Sequence, residues 1–232
     1  MEVRVYSMVI EVTRRCNMSC PHCLRGDAQA VNMPKEYIDS LFSQVDFIET
    51  LTISGGEPSL VPEIIHYIID SAKTHSTEIS NFYIVTNAKT VSEEFLTALI
   101  RLYAYCSDNE MSGLAISLDQ FHDNVPEENV KLLKAFAFTE ERGEMGEKSI
   151  IEMGRAIVRG LGRRDISCDE LIIESYDDQI DVQDAILYLN TKGNIIRGCD
   201  FSYEAQDEEE MILCKVDDLA KTLEGMVHQH LE

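Results

Sequence analysis

The chain has 232 residues, 44% of them hydrophobic, with seven cysteines and a formal net charge of −22 from 20 basic and 42 acidic residues. That length suits one substantial core of the size common for α/β barrels, and the acidic excess disfavours nucleic-acid partners because phosphate backbones are repelled. No apolar run reaches the ~18 residues of a membrane span and no signal-peptide region opens the chain, so the expectation is a cytoplasmic protein with no membrane partner and no disulfide framework.

The first predicted strand, near Met8 to Val12, runs into Cys16-Asn-Met-Ser-Cys20-Pro-His-Cys23. Three thiolates at x3 and x2 spacing suit three corners of a cubane iron–sulfur cluster, leaving the fourth iron to a distant ligand or a small molecule. Alone, the Cys20/Cys23 pair also suits a zinc knuckle or a thiol redox motif. Cys16 weighs against both, because zinc needs a second ligand pair and a thioredoxin-type pair has no use for a third thiol.

Pro34 to Val45 places Tyr37, Ile38, Leu41, Phe42 and Val45 at helical spacing. The second strand, from Leu51, ends in Gly55-Gly56-Glu57-Pro58. Its glycines allow close backbone approach, and Glu57 offers a charged acceptor. Pro62 opens a second helix with Ile64, Ile65, Ile68 and Ile69 on its apolar face. A third strand, Phe82 to Asn87, leads to Thr90-Val-Ser-Glu93, which reads as a capping box before a helix from Phe95 to Tyr105.

The fourth strand is Leu114 to Asp119. Thr86, Asn87, Ser117 and Asp119 stand at carboxyl ends of strands, where parallel α/β barrels gather their ligands. Phe121-His122-Asp123 follows as a candidate substrate-side segment. Glu127 to Arg142 reads as a charged helix, Glu140 to Glu147 as a charged loop, and Ser149 to Arg155 as a fifth strand. The planar fork of Arg155 suits a carboxylate; an exposed loop arginine fits the sequence equally well. Arg155, Arg159, Arg163 and Arg164 form a local basic patch able to receive one anionic group. Ala185 to Leu189 and Asn194 to Cys199 read as a β-hairpin turning at Lys192-Gly193, and Val216 to Leu231 as a surface helix.

The three-cysteine loop after the first strand and the Gly-Gly-Glu-Pro turn after the second, in this order, resemble the radical S-adenosylmethionine (SAM) superfamily. The resemblance implies an α/β fold, a partial (β/α)6 TIM-type barrel with a short C-terminal β-hairpin and helix extension. Residues 1–160 would be the radical SAM core and 161–232 an extension packed on it. It also implies a [4Fe-4S] cluster on Cys16, Cys20 and Cys23, whose open iron is chelated by the amino and carboxylate groups of SAM. One-electron reduction, from a donor such as flavodoxin or ferredoxin, then cleaves SAM to methionine and a 5′-deoxyadenosyl radical that abstracts hydrogen from the substrate.

Carried over by position, the cofactor-binding set is His22, Gly55, Gly56, Glu57, Pro58, Asn87, Ser117, Asp119 and Arg155. His22 stands where the family usually has an aromatic near the adenine, Gly55 to Glu57 form the ammonium receptor, Ser117 and Asp119 lie on the ribose side, and Arg155 suits the SAM carboxylate. The hairpin resembles the SPASM and twitch extensions of peptide-modifying members. Their dense run of cysteines is missing, however, and Cys168, Cys199 and Cys214 leave an auxiliary cluster one ligand short; buried small hydrophobes are the other reading of these three. The substrate is a peptide or protein, or else a small metabolite or a glycyl-radical enzyme awaiting activation. Nothing before the first strand resembles a leader-peptide binding domain, which counts against self-contained peptide recognition. A non-enzymatic iron–sulfur or zinc module gives the Gly-Gly-Glu-Pro turn no role.

Overall fold

The structure, a computed structural model, describes residues 1–146, 149–161 and 171–229. In chain order it forms β1 (Glu2–Thr13), α1 (Lys35–Phe42), β2 (Phe47–Gly55), α2 (Pro62–His75), β3 (Glu78–Thr86), α3 (Glu93–Tyr105), β4 (Gly113–Ser117), α4 (Glu127–Leu133) and β5 (Thr139–Arg142). There follow α5 (Arg155–Arg159), β6 (Ile172–Tyr176), β7 (Gln179–Leu189), β8 (Asn194–Arg197), β9 (Ile212–Lys215) and α6 (Leu219–Gln229).

β1 is buried continuously from Met8 to Thr13, as expected of a central parallel strand covered on both faces. Alternate residues serve the two faces. Met8, Ile10 and Val12 join the large core beneath the helices, with Ile38, Leu41, Phe42, Ile65, Ile68, Phe95 and Leu99. Val9 packs on the opposite face with Tyr188, Ile196 and Phe201.

Among the described residues the strands form one sheet in the order β5-β4-β3-β2-β1-β7-β8-β9, with β6 hydrogen-bonded to β7. β1 to β5 are parallel neighbours. The sixth parallel strand is β7, which pairs with β1 on its other side, Met8 opposite Leu187 and Ile10 opposite Leu189. This is the partial TIM-type α/β barrel that the sequence implied, with the first arm of the C-terminal hairpin completing the core sheet. No helix among the described residues is long and apolar enough to cross a membrane.

Several element boundaries differ from the sequence reading. The expected fifth strand at Ser149 to Arg155 is instead a turn leading into α5; the fifth strand is β5, within the segment read as helix. α4 stops at Leu133, beyond which Phe136 stacks on Phe138 and Phe138 on Tyr103. β5 escaped notice because it is a sheet edge whose Thr-Glu-Glu-Arg is largely exposed and shows no apolar alternation. The α3 cap is Ser92, which accepts from Phe95 N–H at 3.1 Å, while Thr90 accepts from Asn17. The hairpin turns where read, with Gly193 at φ 73° and the Asn190 side chain accepting from the backbone N–H groups of Lys192 and Asn194, but its first arm begins at Gln179 and its second ends at Arg197.

Candidate functional site

The carboxyl ends of β1 to β4 open into a cavity of about 390 Å³. Its lining includes Cys16, Cys20, His22, Cys23, Gly55, Gly56, Glu57, Asn87, Ser117, Asp119 and Arg155. Eleven of the twelve residues that the resemblance assigned to the cluster and SAM therefore meet at one place, with Thr86 and His122 beside them, while Phe121 and Asp123 do not line it. Pro58 does not reach the lining; it is buried and opens a short 3-10 turn behind the cavity.

The cysteine loop is held from three sides. The Cys23 N–H donates to the Cys20 carbonyl, and the Arg155 N–H donates to the Cys23 carbonyl. The Arg155 side chain adds a bond from Nε to the Cys20 carbonyl at 2.9 Å and one to Asp27 at 3.2 Å. Gly154 makes this approach feasible: its φ is +58°, and a Cβ there would lie 2.3 Å from the Leu24 carbonyl oxygen. Arg155 is thus engaged with the cysteine loop while still bordering the cavity.

Burial, reinforced by the neighbouring Cys23 and Cys16, pushes the Cys20 thiol up to about 12. Burial also raises Cys16. Three thiols grouped on one short loop are suited to surround a metal, which deprotonates its thiol ligands outright.

The glycines at the end of β2 have a steric reason. A Cβ on Gly55 would sit 2.2 Å from the Thr13 carbonyl oxygen, and one on Gly56 2.3 Å from that of Arg15. β2 therefore crosses the exit of β1 at backbone contact, carrying Glu57 beside the cysteine loop. Glu57 is almost wholly buried. Its carboxylate accepts from the Ser59 N–H at 3.0 Å, the Thr86 hydroxyl at 2.7 Å and the Asn87 N–H at 2.8 Å. Burial pushes its carboxyl above the usual carboxylate range, against the opposing pull of these donors. The Asn87 side chain reaches Asn17 at 2.8 Å and the Cys16 sulfur at 3.9 Å.

On the β4 side, Ser117 and Asp119 are buried at the cavity. Asp119 accepts from the Phe121 N–H, and its Oδ1 lies 2.9 Å from His122 Nδ1. His22 packs against Phe121 and His122, with ring centroids 5.0 and 5.1 Å away.

The sequence reading missed Arg25, Arg142 and Asp200, all in the lining. Arg142 stands at the end of β5, so recognising that strand was the missing signal. Asp200 comes from beyond the hairpin and shows that the C-terminal segment reaches the cavity. That segment is anchored by Arg14, a fully buried arginine bonded to Glu11, Gln206 and Asp207. Glu11 in turn accepts from Tyr188 and Thr191.

The Radical SAM superfamily model matches residues 10–140, more than half of the chain. The chain belongs to the radical SAM superfamily. It is therefore an enzyme of a family that uses SAM and an iron–sulfur cluster. Among solved structures, this radical SAM chain is similar to native anSMEcpe with bound AdoMet and Cp18Cys peptide, with a TM-score of 0.58, 13% identity, and coverage of 95% of this chain and 80% of that one. It also matches native anSMEcpe with bound AdoMet and Kp18Cys peptide, with a TM-score of 0.50, 12% identity and the same coverage of 95% and 80%. At such identities the likeness is one of fold. No curated protein matches significantly.

Proposed function

We propose that this radical SAM enzyme acts on a peptide or protein substrate, with Cys16, Cys20 and Cys23 holding a [4Fe-4S] cluster and the adjoining strand ends holding SAM. The convergence of the three thiols and the Gly55-Gly56-Glu57 turn on one cavity carries this reading. When bound, the cluster supplies the electron for reductive cleavage of SAM, which initiates hydrogen abstraction from the substrate. A reduced carrier such as flavodoxin or ferredoxin is the proposed electron source.

The chain's own residues bind and orient. Gly55 and Gly56 let a ligand approach the backbone, while Glu57, whose described donors are neutral, offers a buried negative charge that a ligand ammonium would compensate. Asn87 and Ser117 present polar groups at the ends of β3 and β4. Arg155 fixes the cysteine loop and presents a cation to the same cavity.

A peptide substrate is supported by two observations. Asp200 of the C-terminal segment forms part of the cavity wall, and the similar anSMEcpe structures are described with bound peptide.

The test is anaerobic reconstitution followed by iron analysis and assay of 5′-deoxyadenosine. The wild type is expected to carry about four irons per chain and to form 5′-deoxyadenosine from SAM with a chemical reductant, whereas Cys20→Ala loses most of the iron and all of the cleavage. Wild-type-like cleavage by Cys20→Ala would refute the cluster assignment. Hydrogen transfer from deuterated candidate peptides into 5′-deoxyadenosine reports on the substrate class; transfer only from a small metabolite would displace the peptide reading.

A further inference from the structure

His22 and His122 leave a chemical question that the cysteine triad does not answer. Among the described residues, both Nδ1 atoms are buried without a hydrogen-bond partner, although His122 Nδ1 lies 2.9 Å from Asp119 Oδ1. That contact has the distance of a hydrogen bond but not its geometry. Two imidazoles and one buried carboxylate have come together in an arrangement that the described donors and acceptors leave unsatisfied.

We propose that His22, Asp119 and His122 form a binding site for one divalent transition ion, Zn²⁺ or Fe²⁺, within the cavity and separate from the cysteine triad. One ligand atom from each residue lies within 4.8 Å of the other two. Tetrahedral zinc with its usual bond lengths needs ligand separations of about 3.4 Å, so side-chain rotation closing the largest gap by about 1.4 Å completes the set. The donor type is apt, since two histidines and one carboxylate suit zinc or non-haem iron and leave coordination positions open.

The backbone supports the arrangement. Asp119 and His122 sit on one turn, where the His122 N–H donates to the Asp119 carbonyl and the Phe121 N–H to the Asp119 carboxylate. Phe121 packs against His22 with the two rings tilted by 32°, placing an apolar neighbour beside that imidazole. All three ligands line the cavity, so a donor atom of a second ligand can fill an open position of the ion. This use of His22 and Asp119 replaces the adenine-side and ribose-side contacts that the resemblance implied for them. The inference adds to the proposed function, and its test is read separately.

The reconstituted enzyme is dialysed anaerobically against zinc sulfate, and bound metals are counted by plasma mass spectrometry. The expected result is about one zinc per chain beyond the cluster iron. Loss of even an outer partner weakens such sites about 10–100-fold, so Asp119→Asn and His122→Gln should each abolish stoichiometric zinc. His66→Gln, removing a histidine whose ring meets Arg101, should keep it. Absence of zinc from the wild type, or its retention in both ligand variants, overturns the proposal.

Because a ligand variant can fail to fold, cobalt(II) spectra of the wild type provide a second readout. Nitrogen and oxygen ligation supports the site; a thiolate-to-cobalt charge-transfer band places the ion on cysteines and overturns it. Iron and 5′-deoxyadenosine are measured on the same samples. Zinc at the triad without SAM cleavage keeps this site and counts against the proposed function, whereas cleavage without zinc does the reverse.

Discussion

Arg155 Nε donates a 2.9 Å hydrogen bond to the carbonyl oxygen of Cys20, joining the start of α5 to the cysteine loop across 135 residues of sequence. The loop carrying the proposed cluster ligands is thus shaped by a residue far along the chain.

Arg155→Ala should leave the fold intact but loosen this loop, because a hydrogen bond from a charged donor contributes about 1.5–3 kcal/mol. Iron retained after reconstitution and gel filtration is expected to fall below roughly half of the wild-type value, the change expected from about 1 kcal/mol or more of weakened loop anchoring. Arg155→Lys should recover only part of it, since an ammonium lacks the planar fork. Full iron retention by the alanine variant would show that Arg155 does not position the loop.

Glu57 is tied to Ser59, Thr86 and Asn87, so its substitution should affect stability as well as ligand binding. Glu57→Ala removes acceptors for three buried donors, and the melting temperature of the cluster-free chain should fall on the order of 5–10 °C. In the cluster-loaded protein, calorimetry should show weakened SAM binding. Unchanged SAM affinity with the cluster in place would remove Glu57 from the receptor while leaving its structural role.

Asp207 offers a pH readout. Burial pushes its carboxyl up, but hydrogen bonds from Lys192 and Arg14 outweigh that and hold it below the usual carboxylate range. The folded form thus has the lower pKa, so this contribution is present above the unfolded value and is lost as pH falls through the folded one. Between about pH 5 and pH 3, the urea midpoint of wild type should fall more steeply than that of Asp207→Asn. Parallel pH profiles would show that the Asp207 carboxylate does not stabilise the C-terminal anchor.

Cys199 packs with Val9, Tyr188, Ile196 and Phe201, whereas Cys214 packs on the helix-side core. Opposite sheet faces separate the two thiols, and Cys168 lies outside the described residues. Cys199→Ser should therefore keep iron near about four per chain and preserve SAM cleavage. A loss of about four irons with the core cluster retained would instead establish an auxiliary cluster.

The core motifs were legible because local spacing encodes them. Cys16, Cys20 and Cys23 lie within eight consecutive residues, and Gly55-Gly56-Glu57 directly follows an apolar strand. The period-2 and period-3.6 patterns of buried β1 to β4 and of α1 to α3 were likewise plain, since elements covered by a core must keep their apolar faces in register. β5 was not legible. An edge strand with exposed Glu140 and Glu141 is specified by pairing with β4, not by a hydrophobic pattern of its own.

The remaining decisions belonged to tertiary structure. Only the pairing of β7 with β1 shows that the hairpin completes the core sheet, because strand adjacency depends on backbone hydrogen bonds between distant segments. Only packing brings His22 to Asp119 and His122, turns Arg155 toward Cys20, and buries Arg14 against Glu11 and Asp207. Sequence spacing determined which groups could act within one loop; long-range burial, which requires each charged or polar group to find a partner, decided which loops meet.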